Sequence, residues 1–204
     1  MTPQKNILKI AIIFIFLLLL GFMVSLYLLK SPKTTSLNNK VSEYSFLLKS
    51  VDGKIFEINA TNYSFKISNI KNKIVFLKAF GWNCQYCNKE IPQLIKLKKK
   101  FPKLFDVIAI EVQNHSEKEN LKQIESRGIN YHIISGQKHK NFLRYLKEHH
   151  NWTGMIPLSI VIAEDGKILA FEIGMKSYTL SELLKVSLQQ YKVMQNLKKN
   201  QVKD

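Results

Sequence analysis

The chain has 204 residues and a formal net charge of +16, from 31 Lys and Arg against 15 Asp and Glu. That length holds one domain plus appendages. The charge does not read as a nucleic-acid footprint: only Arg127 and Arg144 are arginines, and the lysines are scattered through nearly every segment instead of clustering with exposed aromatics. They read as a solvated surface that leaves room for acidic partners or an anionic lipid surface.

Residues 1–9 form a short basic tail, expected on the cytoplasmic side. Residues 10–29 carry no charge and are dense in Ile, Leu and Phe. As a helix they would extend about 30 Å, the thickness of a bilayer's hydrocarbon core. A cleaved signal peptide would have a shorter apolar region and a small-x-small cleavage site. Here Met23-Val24-Ser25 is followed by more apolar residues, and no cysteine lies there for lipid attachment. An uncleaved single-pass transmembrane anchor is therefore expected. Lys5 and Lys9 precede the span and Lys30, Lys33 and Lys40 follow it, so the charge count is close to a tie. The short tail, and a cysteine pair suited to an oxidising compartment, place the domain outside the cytoplasm. Residues 30–42, with Pro32 and a run of Thr, Ser and Asn, read as a flexible tether.

The folded domain is expected over residues 43–192, roughly 150 residues and enough for a single buried core. Two apolar runs around Asp52-Gly53 predict a β-hairpin. Residues 73–80 read as a buried central strand, and residues 88–100 as a helix that Pro92 should kink. A further strand is expected over 104–112. A helix follows over 116–126, opened by the capping box Ser116-Glu119 and stopped by Gly128. Residues 131–134 predict a short strand, and 138–150 another helix. Strands at 158–163 and 168–173 flank the tight turn at Asp165-Gly166. A second capping box, Thr179-Glu182, opens a terminal helix with Leu180, Leu183, Leu184, Leu188 and Tyr191 at core spacing. Residues 193–204 are a polar, basic tail expected to fray. Alternating strands and helices predict an α/β fold with a parallel centre, and the late hairpin an antiparallel edge. No internal repeat is visible.

The chemistry concentrates in Trp82-Asn83-Cys84-Gln85-Tyr86-Cys87-Asn88-Lys89-Glu90-Ile91-Pro92, which holds both cysteines of the protein. The pair sits where a strand turns into a helix, with Cys84 at or beside the helix N-terminus. Unpaired N–H groups and the positive end of the helix dipole stabilise an anion there, so a thiolate forms readily. The second thiol can then resolve a mixed disulfide made by the first. A structural disulfide over so small a loop adds little stability. Zinc wants four ligands, and His115, His132, His139, His149 and His150 show no ligand-like spacing to the pair. Copper needs fewer ligands and stays open. Lys78, inside the central strand, reads as a snorkelling side chain or as a cation near the thiols that favours a thiolate.

Between Ser45 and Gln190 the chain resembles the thioredoxin superfamily, specifically its membrane-anchored extracytoplasmic branch of the TlpA, ResA and CcmG type. The resemblance rests on the Asp52-Gly53 hairpin, the strand before Cys84, the Cys-x-x-Cys pair, Glu90, Pro92, Pro157, the Asp165-Gly166 turn and Gly174. It implies a thioredoxin-like fold: a central mixed sheet flanked by helices, with an N-terminal β-hairpin and a strand-helix insertion between about residues 116 and 150. It implies that Cys84 attacks and Cys87 resolves, and that Pro157 is a cis-proline facing the pair. Ile156 would offer backbone hydrogen bonds to a substrate strand, with Trp82 and Tyr86 as further partner contacts. Glu90 would be an acidic residue relaying protons or raising a thiol pKa. The chain departs from the pattern twice. Asn83, not Trp, directly precedes the first Cys, and Lys78 stands where thioredoxin has a buried acid.

The resemblance further implies a reductase on the periplasmic side of a bacterial inner membrane, with no cofactor beyond the Cys84-Cys87 disulfide. Its partners would be protein disulfides, with apocytochrome c as the leading substrate, and a membrane electron donor of the DsbD or CcdA type. Oxidation or isomerisation of secreted proteins, copper delivery on the same fold, and a redox-inactive scaffold are the alternatives.

Overall fold

Strand β4, Ile74–Phe80, is buried at every position, which a strand achieves only when both faces of its sheet are covered. The computed structural model that shows this describes residues 43–201 and, before them, Leu20 alone. The apolar stretch 10–29, but for Leu20, and the tether to position 42 lie outside the described residues. Among the described residues no helix is long and apolar enough to cross a membrane.

The chain opens with an antiparallel sheet, β1 (Tyr44–Lys49), β2 (Ile55–Ala60) and β3 (Phe65–Ile67), in that order. Gly53 closes the first turn at φ +90°, a conformation that costs other residues Cβ strain. Next come β4, helix α1 (Gln85–Lys100), β5 (Phe105–Glu111), α2 (Glu117–Ser126), β6 (His132–Ser135), a 3-10 turn (Gly136–Lys138) and α3 (Lys140–His150). Strands β7 (Leu158–Ile162) and β8 (Ile168–Ile173) and helix α4 (Leu180–Gln201) complete the domain. The five later strands form one mixed sheet in the order β6-β5-β4-β7-β8, with β4, β5 and β6 parallel and β7 and β8 antiparallel to their neighbours.

Period-two alternation along β4 divides the core. Val75, Leu77 and Ala79 pack with the small sheet and with Phe142, Tyr145 and Leu146 of α3. Ile74, Phe76 and Phe80 pack with Ile91, Leu94 and Leu97 of α1 and Leu180, Leu183 and Leu184 of α4. Lys78 lies in this second row.

Both capping boxes form: Ser116 Oγ accepts from Glu119 N–H at 3.2 Å and Thr179 Oγ1 from Glu182 N–H at 3.2 Å. Three elements differ from the sequence expectation. Helix α1 starts at Gln85, three positions earlier, because Cys84 itself is its cap, and it runs unbroken through Pro92. Strand β3 was not foreseen. Helix α4 continues to Gln201, past the start of the tail expected to fray.

Asp106, buried at the foot of β5, ties α1 to the sheet. Its carboxylate accepts from Lys98 Nζ at 2.5 Å, Lys73 Nζ at 3.2 Å and Val107 N–H at 2.9 Å. Burial alone would raise its pKa, but the Lys98 hydrogen bond and charge, with the smaller help of Val107 and Lys73, hold it below the usual value. The resulting stabilisation is fully present above the unfolded carboxylate pKa, about 3.9, and is lost as pH falls through the lower folded value. Asp106→Asn is expected to cost about 1–3 kcal/mol at neutral pH and to flatten the acid limb of the stability profile. Urea midpoints measured from pH 7 down to acid check this, and identical acid limbs in the two proteins would contradict it.

Candidate active site

The site is built where β4 ends. After Phe80 the backbone passes Gly81, Trp82 and Asn83 and enters α1 through Cys84, which has extended geometry (φ −101°, ψ 113°) as N-cap. Cys84 Sγ accepts from Cys87 N–H at 3.1 Å, so the sulfur occupies the place of the usual capping oxygen. Cys84 and Cys87 are joined as a disulfide, with Cα atoms 5.2 Å apart. No acidic residue stands in the first turn of the helix to compete for its positive end. Cys84 is half-buried and Cys87 is 1% exposed, so a partner reaches Cys84 first. Two sulfurs one turn apart, one accessible and one not, are arranged for attack and resolution in that order.

Trp82 does not reach the surface. It is 2% exposed, so it supports the turn from within and offers no partner contact. Its ring meets Phe80 edge-on at 4.7 Å and lies under the Arg127 guanidinium at 5.3 Å. Its indole N–H donates to Asn120 Oδ1 at 2.7 Å, its carbonyl accepts from Asn88 Nδ2 at 3.0 Å, and Arg127 donates to Asn88 Oδ1 at 2.8 Å. Helix α2 is thereby fastened to the cysteine turn through Asn120 and Arg127.

The other brace is the loop after β5. The fully buried Glu111 carboxylate accepts from Gln113 N–H at 2.6 Å and His115 N–H at 3.0 Å. Gln113 Oε1 in turn accepts from Asn83 N–H at 2.8 Å. A Cβ on Gly81 would overlap the Gln113 side chain, which would have to move off the Asn83 N–H to make room. Asn88, Gln113, Asn120 and Arg127 escape the sequence reading: nothing in a lone amide or guanidinium distinguishes it from a solvated surface residue.

The Ile156–Pro157 peptide is cis. Because Ala79 pairs with Leu158 and Lys78 with Ser159, this bend enters β7 alongside the end of β4 and the cysteine turn. Pro157 is buried and Ile156 half-buried, with Ile156 touching both halves of the core. Gly174 N–H donates to Pro157 O at 2.8 Å, and among the described residues no backbone group bonds to Ile156. Tyr86 is 46% exposed, with Lys89 Nζ 5.6 Å from its ring centroid. Tyr86, Glu90, Pro157, Met175 and Tyr178 line a cavity of about 200 Å³ next to the bend.

Lys78 departs from the snorkelling expectation. It is 1% exposed, and its ammonium donates to Glu90 Oε2 at 2.7 Å and to Ser159 Oγ. Burial lowers the Lys78 pKa, opposed by the charge and hydrogen bond of Glu90. Glu90 stands one turn after Cys87, on the same flank of α1. Among the described residues no group of three or more His, Cys, Asp or Glu side chains could hold a metal ion.

Thiol–disulfide exchange is the chemistry this arrangement serves, and the fold and site define a thioredoxin-like thiol–disulfide oxidoreductase. The model of the AhpC/TSA family matches residues 46–171, more than half of the chain, and the chain belongs to that family. Similar solved structures include StoA from Bacillus subtilis, 19% identical with a TM-score of 0.51, covering 72% of this chain and 98% of that one. A putative thiol:disulfide interchange protein DsbE from Chlorobium tepidum is 16% identical with a TM-score of 0.55, over 74% of this chain and 95% of its own. A DsbF homologue from Corynebacterium diphtheriae is 20% identical with a TM-score of 0.51, over 76% and 94%. At these identities the likeness speaks for the fold. No curated protein matches the chain significantly.

Proposed function

We propose that the protein is a membrane-tethered reductase of protein disulfides, anchored by residues 10–29 in a bacterial inner membrane with residues 43–192 on the extracytoplasmic side. The observation that carries the reading is the position of the sulfurs, with the accessible Cys84 capping α1 and Cys87 buried behind it. A partner segment laid beside Ile156 would use that residue's N–H and C=O as a strand neighbour does, with Tyr86 at its flank. The Cys84 thiolate attacks one sulfur of the partner's disulfide, and the other sulfur leaves as a thiolate. Cys87 then attacks Cys84, the Cys84–partner bond breaks, and the second partner sulfur leaves. The proton from Cys87 passes by way of Glu90 to a departing sulfur. Two electrons have moved to the partner, and a membrane donor of the DsbD or CcdA type returns them. The branch of the superfamily that the chain resembles makes apocytochrome c the leading substrate. Oxidation or isomerisation of secreted proteins uses the same steps in other directions.

Cys87→Ser in the full-length chain blocks resolution and tests the reading. Mixed disulfides through Cys84 are expected to accumulate in the membrane fraction and to contain extracytoplasmic proteins. An empty trap, or one filled with cytoplasmic proteins, would sink the proposal. A potential near that of strong oxidants in glutathione titration would favour the oxidase direction.

A further inference from the structure

The ammonium of Lys78 has no solvent. It sits in the same row of β4 as Phe76 and Phe80, facing α1 and α4, and its partners are Glu90 from α1 and Ser159 from β7. Burying a charge in such a place is costly, and a buried ion pair seldom stabilises a fold more than apolar side chains of the same volume would. Its position is therefore more telling than its contribution to stability. Glu90 is one helical turn from Cys87 and six residues on from Cys84, the N-cap where the thiolate of the reduced protein forms. Two anions at one end of a helix, partly shielded from water, oppose each other.

Among the described residues, the other ionisable groups around this row do not supply a countercharge. Tyr131, from the segment before β6, is buried, and burial followed by the charge of Glu90 pushes its hydroxyl pKa up. Arg127, at the end of α2, is engaged with Asn88. Glu172 of β8, in register with Ser159, is paired with Lys176 at 2.9 Å. Helix α4 presents Leu180, Leu183 and Leu184. Lys78 is the cation that directly meets Glu90.

We infer that Lys78 is a positioning residue of the redox pair: as the buried counterion of Glu90, it holds that carboxylate one turn from Cys87 and cancels its field at the sulfurs, so that carboxylate and thiolate coexist. Glu90 keeps the place from which it exchanges a proton with Cys87, without the penalty that a bare carboxylate would put on the Cys84 thiolate. The inference rests on the redox role of the cysteines and adds the device that tunes them.

The test is the pH dependence of Cys84 alkylation by iodoacetamide in reduced protein, compared among wild type, Lys78→Gln, Glu90→Gln and the double variant. Lys78→Gln keeps a donor for Glu90 but removes the charge, and its midpoint is expected to rise by about one pH unit. Glu90→Gln leaves the ammonium uncompensated, and its midpoint is expected to fall by a similar amount. The double variant is expected to return close to wild type, a non-additivity that marks direct coupling. A pair with a structural role alone would lower the melting temperature of both single variants and leave the midpoints in place. Unmoved midpoints, or shifts of the same sign, would overturn the inference. Should Lys78→Gln fail to fold, the sign of the Glu90→Gln shift decides. Loss of a reversible Cys84–Cys87 disulfide in wild type would overturn the functional reading itself, whereas a redox-active wild type with unshifted variants overturns only the role of Lys78.

Discussion

Cys84→Ser is expected to abolish reduction of insulin disulfides by the domain, with a fall on the order of a thousandfold or more, to the uncatalysed background. The reason is electronic. The nucleophile in exchange is a thiolate, and the helix end that stabilises a sulfur anion does not bring a serine hydroxyl near ionisation at neutral pH. Folding should be untouched, because serine is itself a favoured N-cap and its oxygen can accept the Cys87 N–H now bonded to sulfur. An unchanged melting curve of the reduced proteins together with lost activity is the expected pair of results. Activity surviving at more than a few per cent would mean that Cys87, despite its burial, is the attacking group, and the order of attack derived above would be wrong.

Trp82→Ala should have the largest effect on stability. It removes a large buried side chain from beside Phe80, a change that costs about 3–5 kcal/mol. It also leaves Asn120 Oδ1 without its indole donor and Arg127 without the ring beneath it. Against a typical domain stability of about 5–15 kcal/mol that is a severe loss. Activity should fall in the remaining folded protein as well, because the ring fastens α2 to the cysteine turn. Trp82→Phe separates the two effects: it keeps most of the packing, loses the N–H, and is expected to cost about 1–3 kcal/mol with the site largely intact. Urea denaturation and insulin reduction on both variants check this. A Trp82→Ala protein with full activity and near-native stability would contradict the burial of the ring.

The order of elements was legible because local rules agreed with each other. The period-two and helical patterns, the Asp52-Gly53 and Asp165-Gly166 turns, and the boxes at Ser116 and Thr179 all act over a few residues. They point to the elements observed. Strand β3 was not legible. Phe65-Lys66-Ile67 is too short to carry a pattern, and it becomes a strand by pairing with β2 and by receiving the Gly166 turn from far along the chain. A Cβ on Gly166 would lie 3.1 Å from Lys66 Cα, so glycine at that turn serves the docking as well as the turn itself.

The same division runs through the site. Cysteine spacing, the strand before it and the helix after it are local, so the sequence by itself placed the pair at a helix N-terminus and pointed to thiol–disulfide exchange ahead of its alternatives. Which side chains surround the pair is a matter of sheet register and of which face of each helix is buried. Only the tertiary structure decided that Trp82 points inward, that Gln113 from a distant loop and Asn120 from helix α2 brace the turn, and that Lys78 meets Glu90 instead of water. Each of those outcomes depends on burial, and burial is a property of the packed layers, whose competing interactions no short stretch of chain contains.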